Sequence, residues 1–346
     1  MKYVTGGGLR IDYLITHDGQ AHTGLPGGNA LYAAVGASVW TGDVGLWARL
    51  GENYPQSWLD HLAQRGLDTA GLVRMPCEQD HRTFFAYTAD GRRDDTNPAS
   101  HFHRIRQPLP DALQDYVHST PSQDNPVVYE PLALRPGDWP AVYDGATAVH
   151  LSPHSLCSHL TIPHVLRHHG VHQITLDPGE RYMVPALMPH VRPLLPLVDA
   201  FLPSNQEIRS LFGEGMNMEE AAQTLGEWGA RIVVIKLGSQ GVLVREENGR
   251  TIHLPAYYPP GSRQVIDVTG AGDAFCGGFM VGLAQTKNAV TAAQMGLVSA
   301  SFVLENYGAL SALGVSRLTA INRLREFKHS KKKKPEPLLQ MVQASN

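Results

Sequence analysis

Cysteine is scarce in this chain. Cys77, Cys157 and Cys276 are the three in 346 residues, far apart and in no Cys-x-x-Cys pair. An odd, scattered set excludes a disulfide framework and predicts free thiols in a reducing, cytoplasmic setting. Long apolar runs are missing as well. No segment approaches the roughly 18–20 apolar residues of a membrane helix. The opening "MKYVTGGGLRIDYLI" is broken by Asp12 and does not read as a signal peptide. Excess charge of one sign is also absent. A net charge of -3 gives no general case for a nucleic-acid partner, and the basic run in "KHSKKKKPEPLLQMVQASN" reads by default as a solvated, flexible tail. The 17 histidines are scattered, and "HFH" at 101–103 and "HH" at 168–169 lack ligand spacing. Neither a GxxxxGK[ST] phosphate loop nor a GxGxxG dinucleotide fingerprint occurs.

What remains is a globular composition, 42% hydrophobic and 18% charged, long enough for a substantial core. Short apolar strands alternate with helix-like segments, the pattern of an α/β fold with a mainly parallel sheet. "MKYVTGGG", "DVGLWARLG", "TAVHLSP", "QITLDPG", "AFLPSN" and "RIVVIKLG" read as strands that end in turn-forming residues. "NALYAAVGASVWTG" and "MEEAAQTLGEWG" read as helices. In "HRTFFAYTADGRR", 81–93, aromatic and β-branched residues flank Asp90-Gly91, a hairpin signal. Together with "YLITHDGQAHTG" it predicts a small β element outside the main sheet. Residues 94–140 are rich in Pro, Asp and His and read as an inserted loop with one helix near 111–118.

The chemistry concentrates in "DVTGAGDAFCGGF", 267–279. A glycine-rich turn entering a helix offers unpaired N–H groups and a partial positive charge, which suits phosphate. A carboxylate beside that turn, Asp273, can take a proton from an attacking hydroxyl. Its simpler role is a helix-start acid. "PGGNALYAA" is a second glycine turn into a helix, where Asn29 offers a donor and an acceptor or serves as an ordinary cap. Asp12 can accept hydrogen bonds from sugar hydroxyls, or sit in an exposed turn. "KLGSQG", 236–241, is a glycine hairpin after an apolar strand.

These motifs, in this order, resemble the ribokinase-like (PfkB) carbohydrate kinases over about residues 1–327. "DVTGAGDAFCGGF" is similar to the family's C-terminal signature, and "PGGNALYAAVGASVWTGDVGLWARLGEN" to its N-terminal one. The resemblance implies a three-layer α/β core with a mainly parallel central sheet, and a small β-sheet lid from about 13–26 and 81–105. Residues 328–346 fall outside it as the basic tail. It implies transfer of the ATP γ-phosphate, with Mg²⁺ and in many members K⁺, to a hydroxyl of a sugar or sugar acid. Carried onto this chain, Asp273 is the base, and Gly270, Ala271 and Gly272 are the anion hole. Asp12, Gly28 and Asn29 hold the sugar. Gly238, Gly241, Lys236, Arg181 and Gly308 fall on the nucleotide side. Glu207 organises Mg²⁺ through water, and Asp267 with the Thr269 carbonyl meets a monovalent cation. Lids of this family often pair across dimers, so the resemblance also implies a homodimer through the lid.

The chain departs from the pattern in places. Its N-x-x-E motif has Ser204 at the Asn position, with Asn205 one place off. "DPGER" carries Gly179 in place of an Asn, and Ser152 stands where ribokinases proper place a sugar-binding acid. Lys236 replaces a common Thr and leans toward 2-keto-3-deoxygluconate kinase-like members. Two other readings stay open. One is a nucleoside kinase of the same fold, with Phe84, Phe85 and Tyr87 as candidates for a base slot or for lid packing. The other is a non-catalytic sugar- or nucleotide-binding protein, against which the intact Gly270–Asp273 run argues.

Overall fold

The computed structural model describes residues 3–87, 93–118 and 122–330. Thirteen strands are β1 (Tyr3–Gly6), β2 (Arg10–Ile15), β3 (Ala21–Gly27), β4 (Val44–Leu50), β5 (Asp68–Arg74), β6 (Arg82–Tyr87), β7 (Arg93–Asp94), β8 (Ala148–Leu151), β9 (Gln173–Leu176), β10 (Ala200–Phe201), β11 (Ile232–Lys236), β12 (Val242–Arg245) and β13 (Thr251–Leu254). The α-helices are α1 (Asn29–Ser38), α2 (Gln56–Gln64), α3 (Pro98–Arg104), α4 (Leu156–His168), α5 (Met188–Leu194), α6 (Asn205–Phe212), α7 (Met218–Glu227), α8 (Ala271–Thr286), α9 (Ala289–Val303) and α10 (Arg317–Ser330).

Nine strands form one sheet in the order β13-β12-β11-β10-β9-β8-β1-β4-β5. From β5 to β11 the pairs are parallel, and β12 and β13 close the edge antiparallel. The apolar strands are buried on both faces, because neighbouring residues point to opposite sides. Tyr3, Leu46 and Ala148 pack toward α1, α8 and α9, while Val4, Trp47 and Val149 pack toward α4, α6 and α7. This is the three-layer arrangement.

A second sheet, β3-β2-β6-β7, stands apart as the lid. It begins at Arg10 rather than near residue 13, so Asp12 is part of the lid sheet itself. The Asp90-Gly91 turn between β6 and β7 lies outside the described residues. The 94–140 segment is not the loop expected from its composition. α3 starts at Asn97, whose side chain accepts from the Ser100 N–H (3.4 Å), with Pro98 in the first turn. Phe102, Leu113 and Tyr116 then pack on Tyr13, Ile15, Phe84 and Ala86 of the lid. The helix expected near 111–118 is a single 3₁₀ turn, Asp111–Leu113. At the other end, α10 runs to Ser330, three residues past the expected boundary at 327, and the rest of the basic tail lies outside the described residues.

Candidate active site

In an open parallel sheet, ligands gather beyond the carboxyl ends of the strands. β1 leads there into Gly7 and Gly8, β9 into Asp177, and β11 ends in Lys236. Two cavities meet at this edge. The larger, about 680 Å³, lies between the β11–β12 hairpin, the 256–268 loop and the start of α8. The smaller, about 200 Å³, lies between the lid and the core. They share Tyr87 as a wall, and they divide the α8 start between them: Ala271 and Gly272 face the larger cavity, Gly270 and Asp273 the smaller.

α8 begins at Gly270, with φ 71°, the left-handed region. A Cβ there would fall 2.1 Å from the Tyr32 ring, so glycine is required. Asp273 sits in the first turn, open to the smaller cavity. Burial pushes its carboxyl up to about 7; Lys236 and Arg93 oppose the rise, and Glu207 and Asp12 add to it. A carboxylate at that value exchanges protons near neutral pH.

Asp12 is not the exposed turn acid of the simpler reading. It is 2% exposed and lies against Gly27, where a Cβ would collide with its carboxylate. Burial pushes it up to about 7, Arg10 and the Gly28 N–H pull it down, and Asp267 pushes it up. Asn29 lines the same cavity, but most of its side chain is already engaged. Its Oδ1 accepts from the Gly8 and Ala30 N–H groups (both 2.8 Å), and its Nδ2 donates to the Pro153 carbonyl (2.5 Å). Of the three candidate aromatics, Phe84 is lid core, whereas Phe85 and Tyr87 alternate onto the cavity face.

Lys236, Gly238 and Gly241 line the larger cavity. Gly238 (φ 60°) and Gly241 (φ 96°) shape the hairpin turn. The Lys236 ammonium is ion-paired with Asp177 and lies 3.8 Å from Cys276 Sγ. Burial opposes its charge, yet Asp177, Cys276 and Glu207 hold it above its ordinary value. Glu207 closes a capping box on α6: the Ser204 N–H donates to its Oε2 (2.6 Å) while the Glu207 N–H donates to Ser204 Oγ (3.2 Å). Ser204 therefore does the capping, which explains why Asn205 stands one place off. Burial and Asp177 push Glu207 up to about 7.

Asp267 Oδ1 accepts from the Thr269 N–H (2.9 Å) and Oγ1 (2.7 Å), and Thr269 Oγ1 in turn accepts from Tyr87 of the lid (2.8 Å). Asp267 Oδ2 is buried without a partner. Two residues expected on the nucleotide side fall elsewhere. Arg181 lines the smaller cavity beside Gly179 and Glu180. Gly308 opens a 3₁₀ turn, with Leu25 of the lid the one neighbour near its missing Cβ, and the cavity wall there is Leu297, Ala300 and Leu304 instead.

Asp177 is the residue that sequence reasoning missed. It is buried, its Oδ2 meets Lys236 and accepts from Cys276 Sγ (3.4 Å), and its Oδ1 has no partner. The available signal was an acid directly after a four-residue apolar strand, followed by Pro-Gly. The 256–268 loop, with Tyr257, Tyr258 and Ile266 on the larger cavity, was missed as well. Among the described residues no group of three or more His, Cys, Asp or Glu forms a metal cage.

A nine-stranded, mostly parallel sheet with a four-stranded lid, and a carboxylate at a glycine-started helix between two cavities, define a ribokinase-fold phosphotransferase. Residues 152–314 match the model of the pfkB family carbohydrate kinases. A cytidine kinase of Thermococcus kodakarensis is 28% identical over 312 residues, covering 89% of this chain and 98% of that protein. A ribokinase of Thermotoga maritima has the same fold, with TM-score 0.65, 19% identity, and coverage of 93% of this chain and 99% of that one. An E. coli protein solved in complex with ATP and Mg²⁺ gives TM-score 0.68 at 18% identity, covering 94% and 99%. The pfkB match covers residues 152–314, and together with these likenesses it supports an ATP-dependent phosphotransferase of the ribokinase fold. No helix among the described residues is long and apolar enough to cross a membrane.

Proposed function

We propose that the protein transfers the γ-phosphate of ATP, bound in the larger cavity, to a hydroxyl of a sugar or sugar acid bound in the smaller one. The observation that carries this reading is the shared helix start. Gly272 opens to the nucleotide side and Asp273 to the acceptor side, one residue apart. Asp273 removes the proton of the attacking hydroxyl, and its raised pKa matches that task. The N–H groups of the Gly270–Gly272 turn receive the transferred phosphate. Asp12, with one remaining Asn29 N–H, orients the acceptor. The Lys236 side chain passes Gly272, its Cδ 3.8 Å from where a Cβ would stand, and its ammonium, paired with Asp177, puts positive charge on the wall of the nucleotide cavity.

Mg²⁺ fits the oxygen donors present. Asp177 Oδ1, buried and unpartnered, and Glu207 would hold it through its waters, in keeping with an ion that retains most of its hydration. When bound, it neutralises phosphate charge. Asp267 Oδ2 is the matching orphaned acceptor for K⁺.

A nucleoside acceptor is the second reading. The cytidine kinase relative favours it, as does Phe85, which faces the cavity with Arg93 stacked over its ring at 4.7 Å. ADP release measured across sugars, sugar acids and nucleosides decides the acceptor class. Release with no acceptor in the panel, or an unaltered rate in Asp273→Asn, overturns the assignment of the site.

A further inference from the structure

Arg10 of β2 lines the acceptor cavity and has none of the roles above. A guanidinium carries five N–H donors and keeps its charge at every physiological pH. Arg10 is 8% exposed, yet among the described residues its side chain makes a single hydrogen bond, from Nη1 to the Asp80 carbonyl at 3.3 Å. No carboxylate among the described residues stands within 4.0 Å of it. The acids around it are engaged elsewhere. Asp80 pairs with Arg82 at 2.7 Å, and Glu130 accepts from Gln123 Nε2 at 3.1 Å. Burial pushes Glu130 and Asp12 toward their neutral forms.

A buried permanent charge with open donors is costly unless an anion meets it. The surroundings are built for one. Gln123, which the 94–140 segment brings in, lines the same cavity, as does His154. His154 accepts the Leu134 N–H at Nε2 (2.8 Å), so its neutral ring carries the proton on Nδ1, a further donor. Arg10 also stands apart from the reacting end. It acts on Asp12, Glu130 and His154, whereas Asp273 is influenced by Lys236, Arg93, Glu207 and Asp12. Arg10 and Asp12 enter the cavity from β2, two residues apart, whereas Asp273 enters it from the start of α8.

We propose that the acceptor carries an anionic group, a carboxylate or a phosphate, away from its reacting hydroxyl, on the β2 side of the cavity, and that Arg10 binds that group. The inference rests on the kinase reading and narrows its substrate to a polyhydroxylated acid. A neutral sugar or a nucleoside leaves Arg10 unpaired, which costs it affinity.

The test uses the full chain, with two readouts. Calorimetry measures binding of gluconate and 2-keto-3-deoxygluconate as carboxylates, fructose 6-phosphate as a phosphate, and fructose, ribose and cytidine as neutral probes. ADP release measures turnover on the same panel. At least one acid is expected to exceed every neutral probe by about tenfold in affinity and in kcat/KM. In Arg10→Gln that advantage is lost, a fall of about tenfold on the scale of a charge-assisted hydrogen bond, while the KM for ATP stays within twofold. Arg10→Lys keeps the charge without the fork and falls between, which separates lost recognition from lost folding. Which acid wins identifies carboxylate or phosphate. A neutral probe preferred by the parent, or an acid preference unchanged in Arg10→Gln, overturns the proposal and leaves the kinase reading standing. Acid binding without ADP release from any probe supports the anion site and overturns the kinase reading.

Discussion

Two helices, α1 and α8, pack on each other and both start at a glycine with positive φ, yet their first turns are spent differently. At α1 the protein fills the site itself. The Ala30 N–H donates to Asn29 Oδ1 (2.8 Å) and to the Gly8 carbonyl (3.3 Å), and Leu31 donates to Gly28. No acid stands in that turn. At α8 the Ala271 N–H reaches Val268 (3.3 Å), but the Gly272 and Asp273 N–H groups have no acceptor among the described residues. A glycine at a helix start is therefore not by itself an anion site. What decides is whether the chain leaves donors for a ligand. Asn29 satisfies internally at α1 what a phosphate would satisfy at α8.

The sharpest way to break this comparison is Asp273→Asn. Turnover is expected to fall by roughly 10²-fold or more with ATP affinity nearly unchanged. Steady-state kinetics at the parent rate would remove Asp273 as the base. Next comes the glycine pair. A Cβ at Gly28 would lie 2.4 Å from the Gly8 carbonyl oxygen, a backbone atom, while one at Gly270 would meet the Tyr32 ring, a side chain. Gly28→Ala should lower the melting temperature more, and Gly270→Ala should weaken ATP binding more, by about tenfold. Equal losses of ATP affinity in the two variants would erase the distinction between the helix starts.

A smaller effect separates burial from chemistry. Asp273 has a folded pKa near 7 against 3.8 in the unfolded chain. The fold holds that proton more tightly, so the stability it contributes is complete below pH 3.8 and lost as pH rises through 7. Asp273→Asn does not titrate. It should gain stability over the parent between pH 5 and pH 8, read as a difference in melting temperature that grows with pH. The parent's kcat/KM rises over the same range as the base form appears. A variant whose offset is flat across these pH values would show that the carboxyl is not desolvated. The smallest effect is Glu207→Gln. It should raise the Mg²⁺ concentration for half-maximal activity by a few fold and leave acceptor affinity unchanged. Superimposable Mg²⁺ titrations would reduce Glu207 to its capping-box role.

Much of the fold was legible, because the signals were local. Apolar strands ending in glycine or proline announced the parallel sheet, and "GAGD" announced α8 and its carboxylate. The lid was legible from the aromatic and β-branched residues before Asp90-Gly91, but which of them face the cavity was not: Phe85 and Tyr87 fall on that face and Phe84 on the other. What was not legible depends on distant partners. The Pro- and His-rich 94–140 segment reads as loop until Phe102 and Tyr116 meet the lid. Asp177 reads as a turn acid until Lys236, 59 residues on, comes to meet it. Arg181 and Gly308 were placed by motif order, and order along the chain does not say which cavity a side chain enters. Arg10, two residues after Gly8 and two before Asp12, carries no local signal of a role. Only burial without a carboxylate partner distinguishes it.

The Tyr87–Thr269 hydrogen bond bears on waste. Water is a far more abundant nucleophile than any acceptor, and a kinase that let it in would burn ATP to no end. Tyr87 belongs to the lid and Thr269 to the turn that precedes α8, so this one bond ties the lid to that turn. A lid that lifted and admitted solvent would also withdraw a support from the turn beside Asp273. The molecule would then be least equipped to transfer phosphate when only water is there to take it.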